Sequence, residues 1–384
     1  MSADLFEFNG QIQMAGANGI SFWWEDFRGQ SKLGQDVRRP LRFGKPMSAQ
    51  EMYDALATGD PRVPLWLAGT VESIGIMSED GKTSGGNGFR MTRRVLRDGT
   101  THCLGVVGGG EKVSYDPHGE MDTLLPLAED LLNAARDAAV GKAGEMGIVT
   151  IGALGETRGH RSFLSLRLPD VDGMPEPGVN ILTLGTSHDG KSETYGIRSR
   201  IVVVCANTER QARNSALVRF AVRHTAAGRA KLADAPAALL GELAVQKGQA
   251  KRLQEMLNRD LTANEFTAFL DIFAPKADTV RKNPERKTRT DGTRDRLGEL
   301  FLDCQQTGGR DRFRDLPGRA GDASMSAYAL LQAATEWLSH ERPLRGSDCE
   351  ESDRYVSNLF GSGADKSDTM WDGIDAIMSG SVVA

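Results

Sequence analysis

Three groups of residues in this chain have types and spacings that could do chemistry. The first is Gly185-Thr186-Ser187-His188-Asp189-Gly190-Lys191-Ser192, a literal match to the phosphate-loop pattern GxxxxGK[ST]. Such a loop holds phosphate with backbone amides because a helix begins at the Lys and points its N-terminus at the anion. Here the residues after Ser192 run through Gly196 into Ile201-Val202-Val203-Val204, and a β-branched run favours a strand. Asp189-Gly190 is a strong hairpin-turn signal. The segment predicts strand, turn, strand, and a nucleotide-dependent enzyme using Lys191 and Ser192 stands as the alternative.

The second group is basic. Between Asn180 and His224, seven bases (Lys191, Arg198, Arg200, Arg210, Arg213, Arg219 and Arg223) accompany three acids, in a chain of formal net charge -5. On a strand over Tyr195 to Ala206, Arg198 and Arg200 share a face; on one over Leu217 to His224, Arg219 and Arg223 do. Residues two apart on a strand are about 6.6 Å from each other, near the phosphate spacing of an extended single strand. A short helix is expected between them, opening at Asn207 or Thr208 as N-cap, with Arg210, Arg213 and Asn214 along one side. A solvated polar face is the ordinary meaning of such charges. Their clustering, with eight more bases in Pro275 to Arg296, makes single-stranded nucleic acid the first candidate partner. Binding of that kind is salt-sensitive and largely independent of sequence.

The third group is histidine. His188, His224 and His340 have no partner at i, i+4 and no paired carboxylate nearby in sequence, so turn or core positions are expected for them. Ser187-His188-Asp189 supplies the three triad types consecutively, but neighbouring strand residues point to opposite faces and cannot form a relay. Cys103, Cys205, Cys304 and Cys349 lie far apart without metal-ligand spacing and read as free thiols of a reducing compartment. No catalytic residue, metal or cofactor is assigned.

The elements that must position these groups follow from the rest of the chain. With 384 residues and 39% hydrophobic content, a proper core is expected without staples. No signal-peptide pattern and no window near the ~18 apolar residues of a membrane span are found, so a soluble, cytoplasmic protein is expected. Ser48 with Glu51 forms a capping box that predicts a helix over Ser48 to Ala57. Phe89 to Arg97 and Thr101 to Val107 predict a hairpin closed by Asp98-Gly99, and Asp122 to Val140 an amphipathic helix. Strands are expected over Ile148 to Leu154 and Arg161 to Leu168. After His224 the periodicity is helical: Pro236 to about Arg259, then a second capping box, Thr262 with Glu265, leading Phe266, Phe269, Leu270 and Phe273. Pro275 to Arg296 predicts an exposed basic loop that ends in a helix near Arg294 to Gln305. Ser324 to Glu341 predicts a helix. The tail from Ser347 has eight acids and two bases, yet keeps Trp371 and Ile374, and reads as a docked acidic helix.

The pattern SHDGKSETYGIRSRIVVVCANT with the later VRFAVRHT resembles the phage/plasmid-like protein family (domain of unknown function 932), whose core reads SHDG…R…R-V-V-C-x-N-T with a downstream R-H-T. GFRMTRRVLRDGTTHCLGVVG is similar to that family's N-terminal half, and AATEWLSHERPLRGSD and YVSNLFGSGADKSD to its C-terminal elements. KVSYDPHGEMD stands where the family usually carries vQN. The family signature falls on Ser187, His188, Asp189, Gly190, Arg198, Cys205, Asn207, Thr208, Arg223, His224 and Thr225. The resemblance implies a phage, prophage or plasmid setting in a bacterial cell and leaves the activity open.

The expected fold is α+β, an antiparallel sheet packed with helices and a mostly helical C-terminal part. The expected division is an N-terminal segment (1–60), an α+β core (61–275), basic and Gly/Arg-rich loops with a short helix (276–320) and a helical, acidic C-terminal segment (321–384). Hairpin, helix and basic groove look similar to the annealing proteins of phages, an analogy of fold alone. The leading expectation is a non-enzymatic, homo-oligomeric protein that binds single-stranded DNA in recombination or replication. A host-protein antagonist acting through the acidic tail is a further alternative.

Overall fold

The computed structural model describes residues 7–8, 11–12, 14–17, 41–75, 89–108, 115–138, 146–154, 161–169, 173–174, 178–188, 193–203, 207–211, 219–276, 284–306, 326–342, 357–358 and 362–381. In chain order, β1 (Glu7–Phe8) and β2 (Gln11–Ile12) form a small ribbon, followed by β3 (Met14–Ala17) and β4 (Leu41–Phe43). Helix α1 (Ala49–Thr58) starts as its sequence demands: Ser48 Oγ accepts from Glu51 N, and Glu51 returns the bond to Ser48 N. Next come β5 (Thr70–Gly75), β6 (Phe89–Val95) and β7 (Thr101–Gly108), an antiparallel meander. The β6–β7 turn places Gly99 at φ 82°, where a side chain would be strained. A π-helical turn (Glu120–Leu124) leads into α2 (Leu125–Ala138), which buries Leu127, Leu131, Leu132 and Ala135.

The strands β8 (Gly147–Leu154), β9 (Arg161–Arg167), β10 (Gly178–Ser187), β11 (Thr194–Val203), β12 (Asn207–Gln211) and β13 (Arg219–Val222) build the large sheet, in the order β12-β11-β10-β9-β8-β3-β4. β13 pairs with the first half of β11 and β12 with the second. All these pairings are antiparallel except β3 with β4. The fold class is therefore α+β, as expected. β3 and β4 complete the sheet, and Ala15, Ala17 and Phe43 belong to its core.

The remaining described residues are mainly helical: α3 (Ala226–Leu232), α4 (Ala235–Leu257), α5 (Ala263–Phe273), α6 (Pro284–Gln306), α7 (Ala327–Glu336) with a π-helical turn (Trp337–Glu341), and α8 (Ser362–Met378). Thr262 and Glu265 cap α5 reciprocally. A second core joins α4 to α8 through Leu253, Phe269, Phe273, Leu300, Tyr328, Trp371 and Ile374, so the acidic tail docks as its apolar residues predict. The two cores meet along α4, whose Ala235 belongs to the first and Leu253 to the second.

Two local expectations are corrected. Asn207–Gln211 is a strand and not the start of a helix. Its ladder with Val203 to Ser199 satisfies the backbone groups that a cap at Asn207 or Thr208 would have served. The basic loop also shortens, because α6 already begins at Pro284, a residue suited to a first helical turn. The far end of α6 carries what holds it, the buried Leu297, Leu300 and Phe301.

Candidate functional site

Among the described side chains, those of β11, the first strand expected to carry the basic face, are buried. β10 and β11 are covered on both sides: Leu182, Leu184 and Thr194 are buried on one, Ile181, Thr183, Tyr195 and Ile197 on the other. Arg200 is buried and its Nη1 donates to Asn180 Oδ1 at 3.0 Å; Arg210, its cross-strand partner, is buried as well. A row of bases along this strand pair would have needed an open face, and none of the buried positions supplies one. Arg223 does stand in water, its side chain 85% exposed, 3.4 Å from Glu193. Arg198 and Arg219 are placed by backbone alone. The ladder pairs Arg219 with Ile197, one step from Arg198, which assigns the two positions to opposite faces. Lys191, Arg213, Asp189 and Gly190 lie outside the described residues. Asn207 and Thr208 are backbone partners of Val203 and Val202.

The strand that carries Gly185 to Ser187 pairs antiparallel with the strand that follows the phosphate-loop match. Gly185 pairs with Tyr195, and β11 is under way at Thr194, two residues after Ser192. The motif needs a helix directly after its Lys and Ser, and from Thr194 the chain is a strand.

The structure instead brings the signature residues His188 and His224 together with His118, a residue that sequence reasoning passed over. His188 follows the end of β10, His224 follows β13, and His118 precedes the π-helical turn. Their rings form one buried group: His118 stacks on His224 with centroids 4.6 Å apart, Tyr115 stacks on the same ring at 5.2 Å, and His188 meets it edge-on at 5.8 Å. The segment that carries His118 is tied down at several points. Asp116 N donates to the His224 carbonyl at 3.0 Å, and His118 N to His224 Nδ1 at 3.3 Å. From α3, Arg229 grips Asp116 with two bonds of 2.8 Å and donates to the Pro117 carbonyl.

Below the rings lies a charged pair. Arg94 on β6 donates from Nη1 to Glu120 Oε2 at 2.7 Å and from Nη2 to Oε1 at 2.9 Å, and both residues are buried. Ser162 of β9 donates to the same Oε1. His188 Nε2 is 3.7 Å from Glu120 Oε1, beyond a hydrogen bond but within reach of its charge. Thr92 completes the seam by donating to the His188 carbonyl at 2.6 Å. The centre thus fastens the β5–β6–β7 meander and the π-helical turn onto the ends of β9, β10 and β13.

Electrostatics sets the protonation of Glu120, His118 and His224. Burial works to raise the Glu120 carboxyl, but the Arg94 charge and its hydrogen bonds hold it well below the usual carboxylate range. Burial lowers His118 to about 4, helped by the charge of Arg229, and His224 to about 3, helped by the neighbouring histidines. Both rings are neutral at pH 7. Neutral imidazoles beside a carboxylate suggest a metal centre, yet Arg94 and Ser162 occupy the oxygens of Glu120 that a metal would need. Among the described residues no group of three His, Cys, Asp or Glu could hold a metal ion, and no helix is long and apolar enough to cross a membrane.

Residues 129–359, more than half of the chain, match the domain of unknown function DUF932. The chain belongs to that family. His188 and His224 fall inside the matched region, whereas Arg94, His118 and Glu120 precede it, so the centre is completed by residues from outside. No curated relative and no solved structure matches the chain. The signals that could have exposed the missing members were His118 and Glu120, two residues apart in Tyr115-Asp116-Pro117-His118-Gly119-Glu120.

Proposed function

We propose that the chain is a phage- or plasmid-type protein that binds single-stranded nucleic acid as a homo-oligomer in recombination or replication. Its contact surface is the rim beside the histidine centre and not the face of the sheet. The observation that carries this reading is Arg223. Of the seven bases singled out above, it is the one whose described side chain stands in solvent, and it immediately precedes the buried His224. Arg219 opens β13, the short strand that ends just before Arg223, four residues away in the chain. Oligomer formation is supported by β7, Thr101–Gly108, a strand without a charged residue whose Val106 and Cys103 are exposed.

The test is a salt titration of binding to a labelled single strand, comparing wild type with Arg219→Ala/Arg223→Ala. If both contact phosphate, the variant's slope of log K against log salt is shallower by about 1.4, at about 0.7 per contact on a single strand. Equal slopes, or no binding by wild type, overturn the proposal. Size exclusion with and without the oligonucleotide reports the assembly.

A further inference from the structure

Three buried ring nitrogens of the histidine centre have no hydrogen-bond partner among the described residues: His118 Nε2, His188 Nδ1 and His188 Nε2. Both rings are fully buried. A buried polar atom left unpaired costs about 1–3 kcal/mol, and such an orphan in a native core points to a bound molecule or a reactive role.

The proton positions around these atoms say what would fit. His224 Nδ1 accepts the backbone N–H of His118, a donor that cannot reverse, so the His224 proton sits on Nε2. From there it faces Thr186 Oγ1 at 3.4 Å. Thr186 Oγ1 is 3.2 Å from Thr194 Oγ1, and Thr194 Oγ1 is 2.6 Å from His118 Nδ1. No other partner of either hydroxyl is found among the described residues. Each donor then has one acceptor if the bonds all run the same way: His224 to Thr186, Thr186 to Thr194, Thr194 to His118 Nδ1. His118 is left with its proton on Nε2, pointing outward from the chain of bonds. The Thr225 carbonyl favours a proton on this ring but does not reach hydrogen-bond geometry with Nε2. On the other side, the carboxylate of Glu120 orients the His188 proton toward itself on Nε2. His188 Nδ1 is then a bare acceptor.

The geometry points to one bound water between His118 Nε2 and His188 Nδ1, whose rings both pack against His224, as the missing link of a one-directional proton relay from His224 to His188. The water accepts from His118 and donates to His188. An unpaired donor and an unpaired acceptor in a polar, buried setting are what an internal water satisfies, usually with two to four bonds. The class of ligand is an uncharged molecule with one donor and one acceptor. A cation is opposed by Arg94, and the His118 and His224 rings, neutral at pH 7, offer an anion no positive group. His188, backed by a carboxylate, becomes a proton acceptor next to water, the arrangement that general-base chemistry requires.

The experiment uses the full chain with ¹⁵N-labelled histidine, read by long-range ¹H–¹⁵N spectra at pH 7. His118, His188 and His224 are all expected to carry their proton on Nε2, with a water contact at the His118 Nε2 proton. In Thr194→Val the Nδ1 atom of His118 loses its donor, and its ¹⁵N shift moves; Thr194→Ser restores it. A proton on His118 Nδ1 or His188 Nδ1, an Nε2 proton without a water contact, or a stoichiometric metal ion retained after dialysis overturns the relay. Where Thr194→Val fails to fold, the wild-type tautomers decide alone. The result is independent of nucleic-acid binding.

Discussion

Replacing Glu120 by Gln removes one charge from the centre and leaves its shape nearly unchanged. Arg94 remains fully buried, with one carbonyl oxygen where it had a bidentate carboxylate at 2.7 and 2.9 Å. Ser162 loses its charged acceptor and His188 the carboxylate that orients it. Breaking a buried pair by removing one partner costs about 3–5 kcal/mol, because the remaining charge is uncompensated. The attraction lost is only part of that figure; the rest is the desolvation of Arg94, which folding still requires. Urea unfolding followed by fluorescence and far-UV circular dichroism measures the effect on the sheet-containing core. For a slope of about 3 kcal/mol per molar urea, a loss of about 4 kcal/mol lowers the midpoint by more than about 1 M. The control is Arg94→Met/Glu120→Leu, which removes both charges and is expected to recover most of the lost stability. If Glu120→Gln costs less than about 1 kcal/mol, or the double variant is worse than the single one, the pair is not what fastens the meander to the sheet.

Two further outcomes follow from the same geometry. Because burial depresses His118 to about 4 and His224 to about 3 from an unfolded value near 6.5, the unfolded chain takes up protons first as pH falls. Stability is full above pH 6.5 and erodes by about 1.4 kcal/mol per pH unit for each ring down to its folded value; His118→Gln should flatten that slope in unfolding curves between pH 7 and 4. Gly185→Ala should destabilise the fold by about 1–3 kcal/mol through overpacking, since an added Cβ would run into the Tyr195 ring across the ladder; a nucleotide-dependent stabilisation in wild type that this variant loses would restore the phosphate-loop reading.

Much of the scaffold was legible from local pattern. Ser48 with Glu51 and Thr262 with Glu265 specify their caps within four residues, and Asp98-Gly99 specifies the β6–β7 turn. The strand after Ser192 was readable as well, because β-branched residues and Asp-Gly outweigh a motif that lacks its helix. These signals act between residues close in sequence, so the amino acids alone determine them.

What the amino acids alone did not reveal is which surfaces are covered. The alternation that placed Arg198 and Arg200 together is real, but whether that face meets water depends on what packs on it, and Arg200 and Arg210 prove buried. The strand at Asn207 overrides a good cap because its partner is a neighbouring strand and not the next turn of helix. The histidine centre is the clearest case. His118, His188 and His224 are too far apart in sequence to suggest one another, and Arg94 and Glu120 belong to other elements again. Their meeting is decided by the meander docking on the ends of β9, β10 and β13, a packing event driven by burial and made specific by paired polar groups. Sequence determined the elements; only their docking turned five scattered polar residues into one buried centre.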